Sequence, residues 1–314
     1  MILRSIAKML LHEHRYKPIC GRVLCLGPQQ VPMHRGEVDA LFAPSAEEAR
    51  EALARWRVAG SLVEAVSDEY LFRKFAIDSL DSLDVVPGFG GTIIHDLNTP
   101  IAADLYEQFD FILDGGTFDH LVNVGIAFES VIRMLRPGGR VFHYNAASGY
   151  LGAAYVTFGP DLFYDYYVVN KFEDCKVYVT RETSPHPNAP WDVFYLPDGR
   201  TKHLNSGLHQ MVVCIAEKAA DSRSNAIPVE YSYRSQELRQ EYAIQRSRML
   251  KSKRPVLSGD RPRIANLRAT MARMSIEARY VVKRYRAGKF DWAKFRRNLA
   301  RHQAGASYAY VGRI

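Results

Sequence analysis

Where short apolar runs of the chain stop, polar residues or glycines recur: Gly27 after RVLCL, Asp84 in SLDVV, Asp96 in IIHDLN, Asp114 in FDFILDGG and Asn145 in VFHYN. A carboxylate accepts hydrogen bonds from both hydroxyls of a ribose, which suits Asp84, with Asp81 as the fallback. Asp96 offers the acceptor that the exocyclic amine of an adenine needs. After Gly27 a ligand can approach backbone N–H groups without meeting a side chain. Each aspartate taken alone is as well explained as a helix cap or turn residue. Their recurrence at successive run ends points to a nucleotide-like ligand. Two histidines lie along the same rim, His120 in GTFDH and His143 in VFHYN. A neutral imidazole can take a proton from an acceptor hydroxyl, although His143 can equally face the interior or orient a loop. Asp119 is either the partner of His120 or the N-cap of a helix beginning at Leu121. His12 and His14 fall on different helix faces, so no metal is assigned to them.

These residues need a frame that brings the run ends to one edge. Residues 22–27, 80–86, 92–94, 109–113 and 140–144 read as short buried strands, and 176–180 and 209–216 are also rich in β-formers. An N-terminal helix is expected over 1–17. Ser45 with Glu48 has the spacing of a capping box. A helix over Leu121–Leu135 carries Val124, Phe128, Val131, Ile132 and Leu135 on one face, and Pro137-Gly138-Gly139 stops it. Short apolar strands separated by helices predict a doubly wound, mainly parallel α/β sheet. In such sheets ligands sit at the carboxyl ends of the strands, where the polar residues fall.

Composition agrees with a folded body. The 314 residues are 47% hydrophobic and 24% charged, which excludes a collagenous or wholly disordered chain. No apolar stretch approaches the roughly 18–20 residues that span a bilayer. The N-terminal stretch lacks an unbroken apolar core and is not read as a signal peptide. The four cysteines form no C-x-x-C pair; Cys25 and Cys214 lie in strand-like runs as expected for buried free thiols, and the chain reads as cytoplasmic. The net charge of +8 is unevenly distributed: residues 229–314 hold 21 Lys and Arg against 6 Asp and Glu, or +15, which leaves −7 on residues 1–228. A polar stretch, AADSRSNAIP, separates an expected α/β unit (1–228) from a basic helical region (229–314).

With these motifs in place, residues 22–218 resemble a class I S-adenosylmethionine-dependent methyltransferase domain. FDFILDGGTFDHLVNVGIAFESVIRMLRPGGRVFHY is similar to the family's fourth strand, following helix and turn into the fifth, and TIIHDLNTPI to its third-strand motif. GTFDHLVN with FGPDLFYDYY is similar to a bacterial branch associated with polysaccharide and glycolipid genes. The resemblance implies a seven-stranded Rossmann-like sheet and S-adenosylmethionine as cofactor. It also implies cofactor contacts at Gly27, Asp84, Asp96 with Leu97, and Asp114 with Gly115. The first motif departs from the family: Cys25 replaces the acid, and Pro28-Gln29-Gln30 replaces glycines, so Gln29 is expected to use its side chain where the family uses backbone. The implied activity is methyl transfer to a hydroxyl of a glycan or related small acceptor, with His120, His143 or Asp119 handling the proton. Asn145, Tyr150 and Tyr164 are expected on the acceptor side, where aromatic rings bearing hydroxyls suit a sugar, although a buried aromatic stripe is an equal reading. The rival reading is a non-catalytic scaffold whose basic tail does the binding.

In that tail a helix from Pro262 places Ile264, Leu267, Met271, Met274, Ala278, Val281 and Tyr285 on a narrow seam. The seam suits docking on the body or on a second protomer, and the arginines around it suit an anionic membrane surface at the inner face of the membrane. Nucleic acid is disfavoured as a partner because no recognition motif accompanies the charge.

Overall fold

A computed structural model describes residues 1–57, 65–88, 90–183, 189–200, 204, 209–250 and 309–314. The chain begins with α1 (Arg4–Tyr16), β1 (Arg22–Leu26), a short β2 (Gln30–Val31), α2 (Arg35–Phe42) and α3 (Ala46–Arg57). Next come β3 (Val66–Ser67), α4 (Asp68–Phe72), β4 (Ser79–Asp84), β5 (Ile93–Ile94) and β6 (Phe109–Asp114). The second half holds α5 (Val124–Met134), β7 (Leu135–Ser148), α6 (Pro160–Val169) and β8 (Asp174–Glu182). It closes with β9 (Trp191–Leu196), β10 (Gln210–Glu217), α7 (Gln236–Leu250) and β11 (Ala309–Arg313).

Nine strands form one sheet in the order β11-β9-β8-β10-β7-β6-β1-β4-β5. The five from β5 to β7 are parallel, and every pairing from β7 outward to β11 is antiparallel. Two strands exceed the seven expected. One of them is β9, a short run between Pro190 and Pro197 that is buried at five of its six positions. The chain end, read as part of a helical region, instead returns as edge strand β11 on β9. α7 packs on α6, so residues 229–250 join the α/β body. The expected helix from Pro262 lies outside the described residues. Ser45 does accept the Glu48 N–H at 3.2 Å at the start of α3.

Alternation along the central strands divides the core between two helical layers. Leu24, Leu26, Ile112 and Val141 face α5, α6 and α7. Val23, Cys25, Phe111, Leu113 and Phe142 face α1, α2 and α4. Both faces are covered, which is why β1 reads as an unbroken apolar run. β1 has β4 on one side and β6 on the other, so the crossovers diverge at its carboxyl end. That divergence opens the crevice in which ligands of doubly wound sheets bind. Gly27, Asp84 and Asp114 all lie along this edge.

On the opposite layer α1 is held by charge. Glu13, 1% exposed, pairs with buried Lys176 of β8 and lies 3.6 Å from the buried Arg140 guanidinium of β7. Arg140 also donates to the carbonyls of Lys17 and Pro18 at 2.6 and 2.9 Å. Removing one member of such a group strands the others in a dry interior. Glu13→Ala is therefore expected to lower the unfolding free energy by about 3–5 kcal/mol in urea titration. A loss below about 1 kcal/mol would show that water reaches the trio and screens it.

Candidate functional site

The rim is organised by Asp114, the last residue of β6, which is completely buried. Its Oδ1 accepts the N–H groups of Thr117 and Phe118 at 2.9 and 3.3 Å, which closes the GGT turn. Its Oδ2 accepts from Asn145 Nδ2 at 2.6 Å and lies 2.7 Å from His143 Nδ1. With Nδ1 donating to the carboxylate, His143 Nε2 accepts from the Tyr167 hydroxyl at 2.5 Å. His143 is 0% exposed and packed among Phe118, Phe128 and Phe163. Both ring nitrogens are committed, so His143 sits inside the fold as the interior-facing brace of the rim and has no position for acceptor chemistry. Asp114 likewise spends its oxygens on the protein.

Asp119 is placed differently. Helix α5 begins at Val124, after a 3-10 turn over Phe118–His120, so Asp119 does not cap it. Instead its Oδ2 accepts the Ala146 N–H at 3.3 Å, while Oδ1 is buried with no hydrogen-bond partner. Burial pushes its carboxyl up to about 6, against the pull of His120 and the Ala146 N–H, with buried Asp114 adding repulsion. His120 lies 3.6 Å away with its ring largely in solvent. The Asp119 carbonyl accepts the N–H groups of Tyr155 and Val156, drawing the 149–156 loop to the rim. Asn145 Oδ1 is a second buried oxygen without a partner. Tyr150 on that loop stacks on His209 at 4.6 Å.

At the end of β1, Gly27 adopts φ +75°, a left-handed turn that a side chain would strain. The Gln29 side chain folds back there, donating from Nε2 to the carbonyls of Leu26 and Gly27 at 3.2 and 2.9 Å. Its Oε1 and the Gly115 carbonyl receive the Met1 α-amine at 2.8 and 3.4 Å. Asp84 Oδ1 accepts the Val86 N–H at 2.9 Å, and the carboxylate remains partly open to the crevice. Asp96 makes an Asx turn with Asn98 N–H at 2.9 Å, a bond that lowers its carboxyl's proton affinity. Leu97 is a core residue, 3% exposed. Tyr164 does not join the rim; it lines a cleft between α6 and α7.

Three contributors escape a reading of motifs. Asn98 Oδ1 accepts the Val122 and Asn123 N–H groups, joining the loop after β5 to the approach to α5. Thr117 Oγ1 donates to the Leu26 carbonyl at 2.6 Å, tying the ends of β6 and β1 together. Asp68, on α4, accepts the Gln29 N–H at 2.8 Å. The DLN spacing of an Asx turn could have singled out Asn98; the partners of Thr117 and Asp68 are too distant in sequence to leave a signal.

S-adenosylmethionine carries an ammonium, a sulfonium and ribose hydroxyls, and this rim is rich in acceptors. The buried oxygens of Asp119 and Asn145 that accept no hydrogen bond, together with the partly open Asp84 carboxylate, fit such a cation. Among the described residues no cluster of His, Cys, Asp or Glu could hold a metal ion. Nor is any described helix long and apolar enough to cross a membrane.

No family model and no curated protein matches the chain. Among solved structures it is similar to an N-methyltransferase of Burkholderia thailandensis bound to 1,6-didemethyltoxoflavin and S-adenosylhomocysteine: 17% identity, 68% of this chain, 76% of that one, TM-score 0.34. It is also similar to a SAM-dependent methyltransferase of Thermotoga maritima: 15% identity, 68% and 90% covered, TM-score 0.34. TehB from Haemophilus influenzae gives 14% identity, 67% and 61% covered, and a TM-score of 0.38.

Gly115 carries the tightest demand of the rim, because a Cβ there would stand 2.2 Å from Gln29 Oε1. Gly115→Ala is expected to cost about 1–3 kcal/mol through overpacking. Gln29→Ala in the same chain should recover part of that loss. Thermal melts of the two single variants and the double variant check the coupling; strictly additive losses would place Gln29 elsewhere.

Proposed function

We propose that this chain is an S-adenosylmethionine-dependent methyltransferase acting on a hydroxyl of a glycan or related small acceptor. The observation that carries the reading is Asp119: a buried carboxylate with an unpartnered oxygen at the carboxyl edge of a doubly wound sheet. The bound cofactor supplies an activated methyl group. Asp84, partly open at the crevice, would hold its ribose hydroxyls. The loop bearing Asp96 and Leu97 would border the base. Tyr150, stacked on His209, and Tyr155, 82% exposed, give the 149–156 loop the aromatic surface that suits a sugar ring.

Methyl transfer needs the acceptor oxygen aligned and its proton removed, so the chain's contribution is positioning plus one base. Asp119 Oδ1 is that base: burial raises its proton affinity, and the oxygen accepts no hydrogen bond, with His120 Nε2 standing 3.6 Å from it. His120, beside it and open to solvent, passes the proton out. Asp114, His143 and Tyr167 act at one remove by fixing Asn145 and the turn that presents Asp119.

Titration calorimetry with S-adenosylmethionine tests cofactor binding; folded protein giving no saturable heat at millimolar ligand would end the proposal. Because the carboxylate is the active form, transfer to a glycan acceptor is expected to rise as pH increases through about 6. Asp119→Asn should lower the rate by about 10²–10⁴-fold. The same substitution has the opposite sign in stability. A carboxyl whose folded proton affinity is raised above its ordinary value costs the fold stability once it ionises, so Asp119→Asn should melt no lower than the parent at pH 8. An active Asp119→Asn protein would assign the base elsewhere.

A further inference from the structure

The basic C-terminal third leaves part of its charge where the rim makes no use of it. A cleft of about 280 Å³ opens between α6 and α7. Four guanidiniums line it, Arg200, Arg234, Arg239 and Arg246, against two carboxylates, Asp165 and Asp198. Both carboxylates are taken: Asp198 pairs with Arg200 at 2.6 Å, and Asp165 pairs with Arg234. No carboxylate among the described residues pairs with Arg239 or Arg246. The Arg246 Nε is moreover buried without a hydrogen-bond partner. An unmade buried hydrogen bond from a charged group is costly, and so is a crowd of like charges.

The protein offsets part of that repulsion with aromatic faces. Tyr231 has Arg200 at 4.0 Å and Arg239 at 5.3 Å from its ring centre, and Tyr242 has Arg234 at 3.6 Å. Cation–π contact orients guanidiniums and leaves their N–H edges available. The result is a concave, pre-formed fork with two positive charges in excess and an orphaned donor in its wall. A carboxylate would cancel one of those charges. A phosphate group carries close to two negative charges at neutral pH and offers several acceptor oxygens in the geometry that arginine forks match.

We propose that the α6–α7 cleft is a binding site for a phosphate-bearing ligand, with Arg239 and Arg246 as its principal contacts. The group is a phosphomonoester or diphosphate, carried on a soluble molecule or on a lipid headgroup. The proposal stands independently of methyl transfer, since none of these residues belongs to the rim.

The test uses the full chain with two probes: inorganic pyrophosphate by titration calorimetry, and sedimentation with phosphatidylcholine vesicles with or without phosphatidic acid. Saturable binding in either arm is expected, and the arm that responds identifies the source. Arg239→Gln and Arg246→Gln should each weaken it roughly tenfold, and the double variant should abolish it. Arg248→Gln removes an equal charge from the same helix, at a site paired with Asp221 2.5 Å away, and should leave binding unchanged. Far-UV circular dichroism and thermal melts of each variant report folding without reference to the rim. No saturable binding in either arm overturns the proposal. So does binding that survives the double substitution, or an equal loss with Arg248→Gln.

Discussion

A carboxyl group buried at the end of β6 sets the terms for the whole rim. Asp114 has no solvent contact, and an ion in that position persists only if the protein supplies its solvation. Four donors do so: the turn amides of Thr117 and Phe118, the Asn145 side chain and the His143 ring. Each donor is thereby fixed, two in the turn after β6 and two on β7. The GGT turn takes its shape, β7 takes its register against β6, and His143 hands the constraint on to Tyr167 of α6.

The same field explains why Asp119 differs from its neighbours. It is drawn into a partly dry corner by the Ala146 N–H, yet it must share that corner with Asp114. Lost hydration and repulsion favour its protonated form, and its second oxygen accepts no hydrogen bond. One carboxylate is fully solvated by the fold and inert; the other is left incomplete and able to act. Separation of two acids by environment is a general route to acid–base function.

Charge also fastens the outer layers. Glu13 joins α1 to β7 and β8 through Arg140 and Lys176, and Arg234 joins the approach to α7 to α6 through Asp165. In the first case three ionic groups close on one another. In the second the pairing is incomplete, with two guanidiniums in excess. A complete network is a structural device, whereas an incomplete one leaves electrostatic capacity for something outside the chain.

Apolar runs and their punctuation made the parallel half of the sheet legible from residue order alone, because β1 and β6 at its centre are buried on both faces, β1 followed by Gly27 and β6 closed by Asp114. They also placed Gly27, Asp84 and Asp114 on a common edge. β9 and β11 were not legible: β9 is a short run between two prolines, and the edge strand β11 pairs with β9 more than a hundred residues earlier in the chain. Nor could spacing distinguish Asp114 from Asp119, or place Tyr164 in the α6–α7 cleft. The sequence by itself determined which residue types meet the sheet's carboxyl edge, since periodicity and turn chemistry are local properties. Only the tertiary structure decided which carboxylate is satisfied and which is left open, because hydrogen-bond partners and desolvation are set by groups far apart in the chain.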